Sequence, residues 1–236
     1  MTTCALIVAH GQPSDPDPAE QDVAALGARV AERLPGWRMD TATLAAPGAL
    51  GRAMAALDRP LIFPFFMADG WFIRDLLPRR IADTGHEAGP VLTPFGLLPA
   101  TAALAGRILH DAAGTAGWDP AATTVILAAH GSGRSPHPAE AARALENHLR
   151  ADGGFAAIRT GFVEQSPSIA EAARGAGAQS LCLPLFVARW GHVRDDIPAG
   201  LSEAGFAGRL LAPLGCHGAV PDLIAGALRD AAVAGK

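Results

Sequence analysis

Apolar residues fall in short runs bounded by Gly and Pro, with helical spacing between the runs. The first part of the chain has runs at residues 4–9, 39–44, 60–66 and 90–95. The second has them at 123–129, 157–163, 180–187 and 209–214. Runs this short, without polar alternation, predict parallel strands buried on both faces. Between the first two, Val23, Leu26, Val30 and Leu34 are spaced 3, 4 and 4, which gives one apolar helix face. Asp17-Pro18-Ala19-Glu20 predicts that helix's start, with a capping Asp, Pro at the first helical position and Glu at the third. Strand–helix alternation predicts an α/β fold with a doubly wound parallel sheet.

The pattern occurs twice. ALIVAHGQPSDPDPAE from Ala5 resembles VILAAHGSGRSPHPAE from Val125, with His10 on His130, Gly11 on Gly131 and Glu20 on Glu140. Pro47 falls on Pro167, and the segment from Pro64 on the segment from Pro184, all at one offset of 120 positions. A register held over separated blocks marks a duplication. We divide the chain into homologous halves, 1–116 and 117–236, each expected to form one sheet.

Composition narrows the partners. Half of the 236 residues (50%) are hydrophobic and 18% are charged, which suits a packed globular chain. A net charge of −4 speaks against general nucleic-acid binding. Lys236 is the only lysine, so positive charge is almost all guanidinium. Three cysteines (Cys4, Cys182 and Cys216) make no disulfide framework. No signal peptide or membrane-length apolar run stands out, so the expectation is a cytoplasmic protein with no membrane partner.

Ligands of such sheets bind beyond the carboxyl ends of the strands. In the second half those ends carry His130, Glu164 and, just past the third strand, His192. Parallel neighbours lie about 4.8 Å apart, so these side chains can converge on one point. They suit metal binding or proton transfer. At the offset of 120, the first half has His10, Leu44 and Phe72 in their places. That is the pattern of a retired site.

The His130-Gly131-Ser132 turn, Glu164 with Pro167-Ser168-Ile169, and Gly191-His192-Val193-Arg194-Asp195-Asp196-Ile197-Pro198 carry a resemblance. They resemble the sirohydrochlorin cobaltochelatase/ferrochelatase family, the class II tetrapyrrole chelatases. The resemblance implies two α/β halves related by a pseudo-twofold, with the macrocycle in the cleft between them. It implies ATP-independent insertion of Co2+ or Fe2+ into sirohydrochlorin or a related early tetrapyrrole, for cobalamin or sirohaem. His130 and His192 are then metal ligands, one of them doubling as base, and Glu164 is ligand or proton relay. No cofactor is expected beyond the substrate metal, and imidazole and carboxylate would accept Ni2+ as well. Trp190 and Phe72 are candidates to pack on the ring, and Arg134 and Arg189 to pair with its carboxylates. Ser132 and His10 complete the expected substrate-binding set.

The sequence departs from the family where the Arg often found directly after the Ser is displaced to Arg134. Arg74 and Arg194, beside Asp75 and Asp195, are expected in structural ion pairs. His217 follows the last predicted strand and could reach the same sheet end. A histidine-nucleophile phosphatase is disfavoured, because Ala9 and Ala129 precede the histidines where an Arg would be needed. The remaining alternative is a non-catalytic tetrapyrrole or metal binder. A monomer or homodimer fits either reading.

Overall fold

The computed structural model describes residues 2–152 and 154–235. The chain forms two compact units, Met1–Phe95 with Gly218–Lys236, and Gly96–His217.

In the first unit, β1 (Cys4–Ala9), α1 (Pro16–Ala31), β2 (Arg38–Thr43), α2 (Ala49–Ala56), β3 (Leu61–Pro64) and α3 (Leu77–Asp83) follow one another. A π-helical turn, Phe72–Leu76, leads into α3. The sheet order is β2-β1-β3, all parallel. Leu6, Ile7 and Val8 are fully buried, as a central strand covered on both faces requires. The fourth predicted strand, 90–95, shrinks to a bridge between Ile62 and Val91. Pro90 and Pro94 have no N–H to donate to a ladder, so pairing stops there.

The first helix starts two residues before its expected start. Asp15 takes the cap position without a side-chain bond, and Pro16 opens the helix. The Glu20 carboxylate, expected in the capping box, accepts instead from the Thr43 amide at 2.8 Å. Of the expected apolar face, Val23, Val30 and Leu34 are buried and Leu26 is half-buried, with Leu34 past the helix end.

The second unit holds α4 (Pro99–Ala116), β4 (Thr124–Ala129), α5 (His137–Asp152), β5 (Ala157–Phe162) and α6 (Ile169–Ala173). These are followed by β6 (Ser180–Pro184), α7 (Gly191–Arg194), α8 (Asp196–Glu203) and β7 (Arg209–Leu210). Its sheet is also parallel, in the order β5-β4-β6-β7. The last predicted strand is cut to two residues, because Pro213 and a 3₁₀ turn at Leu214–Cys216 follow.

The halves 1–116 and 117–236 mark the sequence repeat, and the compact units divide the chain differently. Helix α4 packs on α5 and β6, while the C-terminal helix Val220–Ala234 packs on α1 and β3. Each unit thus holds the terminal helix that the other's sequence half encodes. In the first unit this helix is tied by guanidinium groups. Arg33 makes a two-point contact with Asp222, and Arg229 donates to the Arg33 carbonyl at 2.7 Å. Among the described residues, no helix is long and apolar enough to cross a membrane.

Two predictions come from this packing. The Arg33 side chain donates to Asp222 and holds its carboxyl below the ordinary carboxylate range. A depressed carboxyl stabilises the fold above its unfolded pKa and loses that effect as pH falls through the folded one. The wild type should therefore melt above Asp222→Asn at pH 7, with the gap closing below about pH 4. Thermal melts across pH test this. Burial pushes the Cys182 thiol up to about 12, whereas Cys216 is exposed. A thiol reagent at neutral pH should modify Cys216 in the native protein and reach Cys182 only on unfolding, as read by mass spectrometry.

Candidate metal centre

The central strand β4 ends at Ala129, so His130 is the first residue past it. Pairing continues beyond the strand ends. Val163 donates to the Ala129 carbonyl at 3.0 Å and Glu164 to the His130 carbonyl at 2.9 Å. That contact sets Glu164 beside His130, with His130 Nδ1 at 3.7 Å from Glu164 Oε2. On the other side of β4, the chain leaves β6 and returns in the short helix α7, which carries His192. The two imidazoles meet edge to face, with centroids 4.6 Å apart at 88°.

The ligand atoms of His130, Glu164 and His192 all lie within 4.8 Å of one another. The site is open: these side chains are 43%, 49% and 41% exposed. Phe186, packed on the unit's core, lies 6.3 Å from the His130 ring and 6.4 Å from the His192 ring.

Each imidazole has its Nδ1 engaged. His130 Nδ1 lies 2.9 Å from the Gly131 carbonyl, which can only accept, so this nitrogen carries the proton. His192 Nδ1 lies 2.7 Å from Asp196 Oδ2. In both rings Nε2 is then the nitrogen with a lone pair to offer.

The turn after His130 is tied to the same neighbour. Ser132 N donates to Gln165 Oε1 at 2.8 Å. Gly131 has φ +71, and a Cβ there would lie 2.7 Å from Gln165 Cγ and 3.0 Å from Phe162 Cβ. Only glycine fits that conformation and space.

The other predicted site residues divide between the units. In the second, Ser132 Oγ accepts from the amides of Arg134 and Ser135 at 3.1 and 3.2 Å, closing its own turn. Arg134 and Arg189 are exposed, and Trp190 is half-buried at the start of α7. In the first unit, His10 packs on Phe72 at 4.2 Å between centroids, in the positions His130 and His192 hold in the second.

Three expectations need correction. Ala45, not Leu44, is the counterpart of Glu164: Ala45 N donates to the His10 carbonyl at 2.9 Å, as Glu164 N does to His130. The offset between β2 and β5 is one residue shorter than elsewhere, and a one-residue slip exchanges faces of a strand. Leu44 packs on the first unit's core, as Val163 does on the second's. Arg74 pairs with Asp69 at 3.0 Å rather than with Asp75, which faces Arg79. His217 is exposed after the 3₁₀ turn and is not part of the ligand group.

Sequence reasoning missed Gln165 and Asp196. The duplication held a signal for Asp196. His192 and Asp196 stand four apart, and at the offset of 120 the first half has Phe72 and Leu76. A polar pair one helical turn apart was matched with an apolar pair.

The CbiX family model matches residues 124–231, a span that includes His130, Glu164 and His192. No curated protein matches the chain. A solved structure of CbiX, the terminal enzyme for biosynthesis of siroheme in denitrifying bacteria, is 47% identical with a TM-score of 0.89, and the match covers 97% of this chain and 99% of that one. SirB from Bacillus subtilis with Fe3+ shares the fold at 15% identity and a TM-score of 0.78, over 98% and 95% of the two chains. A multi-domain Deinococcus radiodurans protein with structural similarity to chelatases shares it at 20% identity and 0.72, over 97% of this chain and 55% of that one.

Two parallel α/β units, one bearing an open His/Glu/His group at its strand ends, define a protein of the chelatase fold. The chain belongs to the CbiX family.

Because Gly131 seats the ligand turn, Gly131→Ala should cost about 1–3 kcal/mol of stability through overpacking and strain. It should also weaken Co2+ binding. Urea unfolding and calorimetric titration measure the two effects.

Proposed function

We propose that the protein inserts a divalent metal into sirohydrochlorin or a closely related early tetrapyrrole. The observation that carries this reading is the convergence of three ligand atoms within 4.8 Å on an open strand-end site. Metal insertion must strip water from the ion and remove two pyrrole N–H protons. Two imidazoles and one carboxylate bind first-row divalent ions while leaving coordination positions open. A closed cysteine cage would hold the ion too firmly to pass it on.

The roles divide by what backs each side chain. His192 is held from behind by Asp196 and serves as the fixed metal ligand. His130 and Glu164 lie side by side and form the pair that shares metal binding with proton acceptance. A pyrrole proton taken by either has a second acceptor within a few ångströms. Arg134 and Arg189, both exposed, are suited to the substrate's carboxylates, and Trp190 to its ring. The 47% identical relative acts in siroheme biosynthesis, which favours Fe2+ as the metal, with Co2+ as the second candidate.

The test is anaerobic. Sirohydrochlorin is mixed with Fe2+ or Co2+, with and without protein, and absorbance is followed over many turnovers. The wild type should accelerate metallation. His130→Ala and His192→Ala should each lower the rate about 10²-fold or more. Unchanged rates in both variants would overturn the site assignment. A spectral shift that stops at one equivalent would make the protein a tetrapyrrole binder instead.

A further inference from the structure

We propose that Asp196 is a positioning residue, which fixes the tautomer and orientation of His192 so that Nε2 faces the incoming metal. The inference rests on the metal-site reading above and extends it to a residue that touches neither metal nor tetrapyrrole.

The geometry is specific. His192 lies in α7 and Asp196 opens α8, one helical turn later. The 2.7 Å contact from Nδ1 to Oδ2 is a charge-assisted hydrogen bond by its length. The Asp196 carboxylate can only accept when ionised, so Nδ1 must carry the proton. Neutral imidazole has one such proton, and Nε2 is thereby left as the lone-pair nitrogen. A histidine ligand held in this way by a carboxylate behind it is a recurrent device of metal sites.

The duplication supplies an independent comparison. In the first unit the equivalent positions are Phe72 and Leu76. Phe72 lies against His10 much as His192 lies against His130. There the stretch is a π-helical turn, Phe72–Leu76, that runs into α3, whereas His192 and Asp196 lie in two successive short helices. Where the histidine is absent, the carboxylate is absent too. His130 shows the other solution to the same problem, with its Nδ1 on a backbone carbonyl.

The test uses the full chain with Asp196→Ala and Asp196→Asn. Asparagine keeps an oxygen that accepts the Nδ1–H bond, and alanine does not. Nitrogen-15 spectra of the metal-free protein should show His192 as the Nδ1–H tautomer in the wild type and in Asp196→Asn. In Asp196→Ala the ring should become a mixture. Co2+ affinity by calorimetry should fall about 10–100-fold in Asp196→Ala and recover most of the loss in Asp196→Asn. In the metallation assay, KM for the metal should rise while KM for the tetrapyrrole stays constant.

A wild-type tautomer together with unchanged Co2+ affinity in Asp196→Ala would overturn the proposal. So would an Asp196→Asn protein as impaired as Asp196→Ala. Should Asp196→Ala not fold, the Asp196→Asn arm decides alone: retention of tautomer and affinity supports positioning, and their loss refutes it. Failure of metallation in the wild type would count against the proposed function, while the tautomer and affinity readouts would still judge Asp196.

Discussion

The hydrogen bond from the Glu164 amide to the His130 carbonyl is the contact on which the site depends. It extends the β4–β5 ladder one step past the strand ends. Parallel strands are held about 4.8 Å apart, and this spacing fixes how far their side chains stand from one another. The His130 and Glu164 side chains follow this spacing, with Nδ1 and Oε2 3.7 Å apart. A carboxylate and an imidazole are thus set side by side by the main chain, before any metal is considered. The turn that follows must then be narrow, which is why Gly131 occupies a left-handed conformation with no room for a Cβ.

The same frame occurs twice with different chemistry. In the first unit the Ala45 amide reaches the His10 carbonyl at 2.9 Å, as Glu164 does for His130. Phe72 takes the place of His192 and packs on His10. The scaffold therefore does not need its polar ligands in order to fold. Apolar side chains, Ala45 and Phe72, stand there in the places of Glu164 and His192. His130, Glu164 and His192 are partly exposed in the second unit, and solvated polar contacts of this kind contribute little to stability.

Much of this was legible in the sequence because it depends on local patterns. Seven of the eight predicted strands formed, the last of them cut to two residues, since buried runs between Gly and Pro leave the chain few choices. What escaped was decided by tertiary contacts. Asp15-Pro16 and Asp17-Pro18 satisfy the same helix-start rule, and the helix took the first while Glu20 turned to the Thr43 amide. The slip from Leu44 to Ala45 was invisible because both residues are apolar and the flanking blocks keep the offset of 120. The exchange of terminal helices between sequence halves has no local signature either. An amphipathic helix records that it packs, but not on which sheet.

The arginines show how charge composition becomes placement. Arg29, Arg33 and Arg229 fasten the C-terminal helix and the approach to it at Gly218. Arg38, Arg52 and Arg159 donate to main-chain carbonyls, and Arg150 bonds to both Glu146 and the Ile158 carbonyl. A guanidinium does this well because its donors are fixed in a plane and can reach two acceptors at once. Among the described residues, Arg134 and Arg189 make no ion pair, and they flank the two loops that carry His130 and His192. A chain with a net charge of −4 has no general attraction for an acidic ligand. Under the proposed function, the two guanidinium groups on the loops that carry His130 and His192 would supply that attraction locally, since a bidentate contact acts over hydrogen-bond distance and depends little on the field of the whole protein. Recognition of a carboxylate-rimmed ring would then be a property of these loops, separable from the fold that carries them.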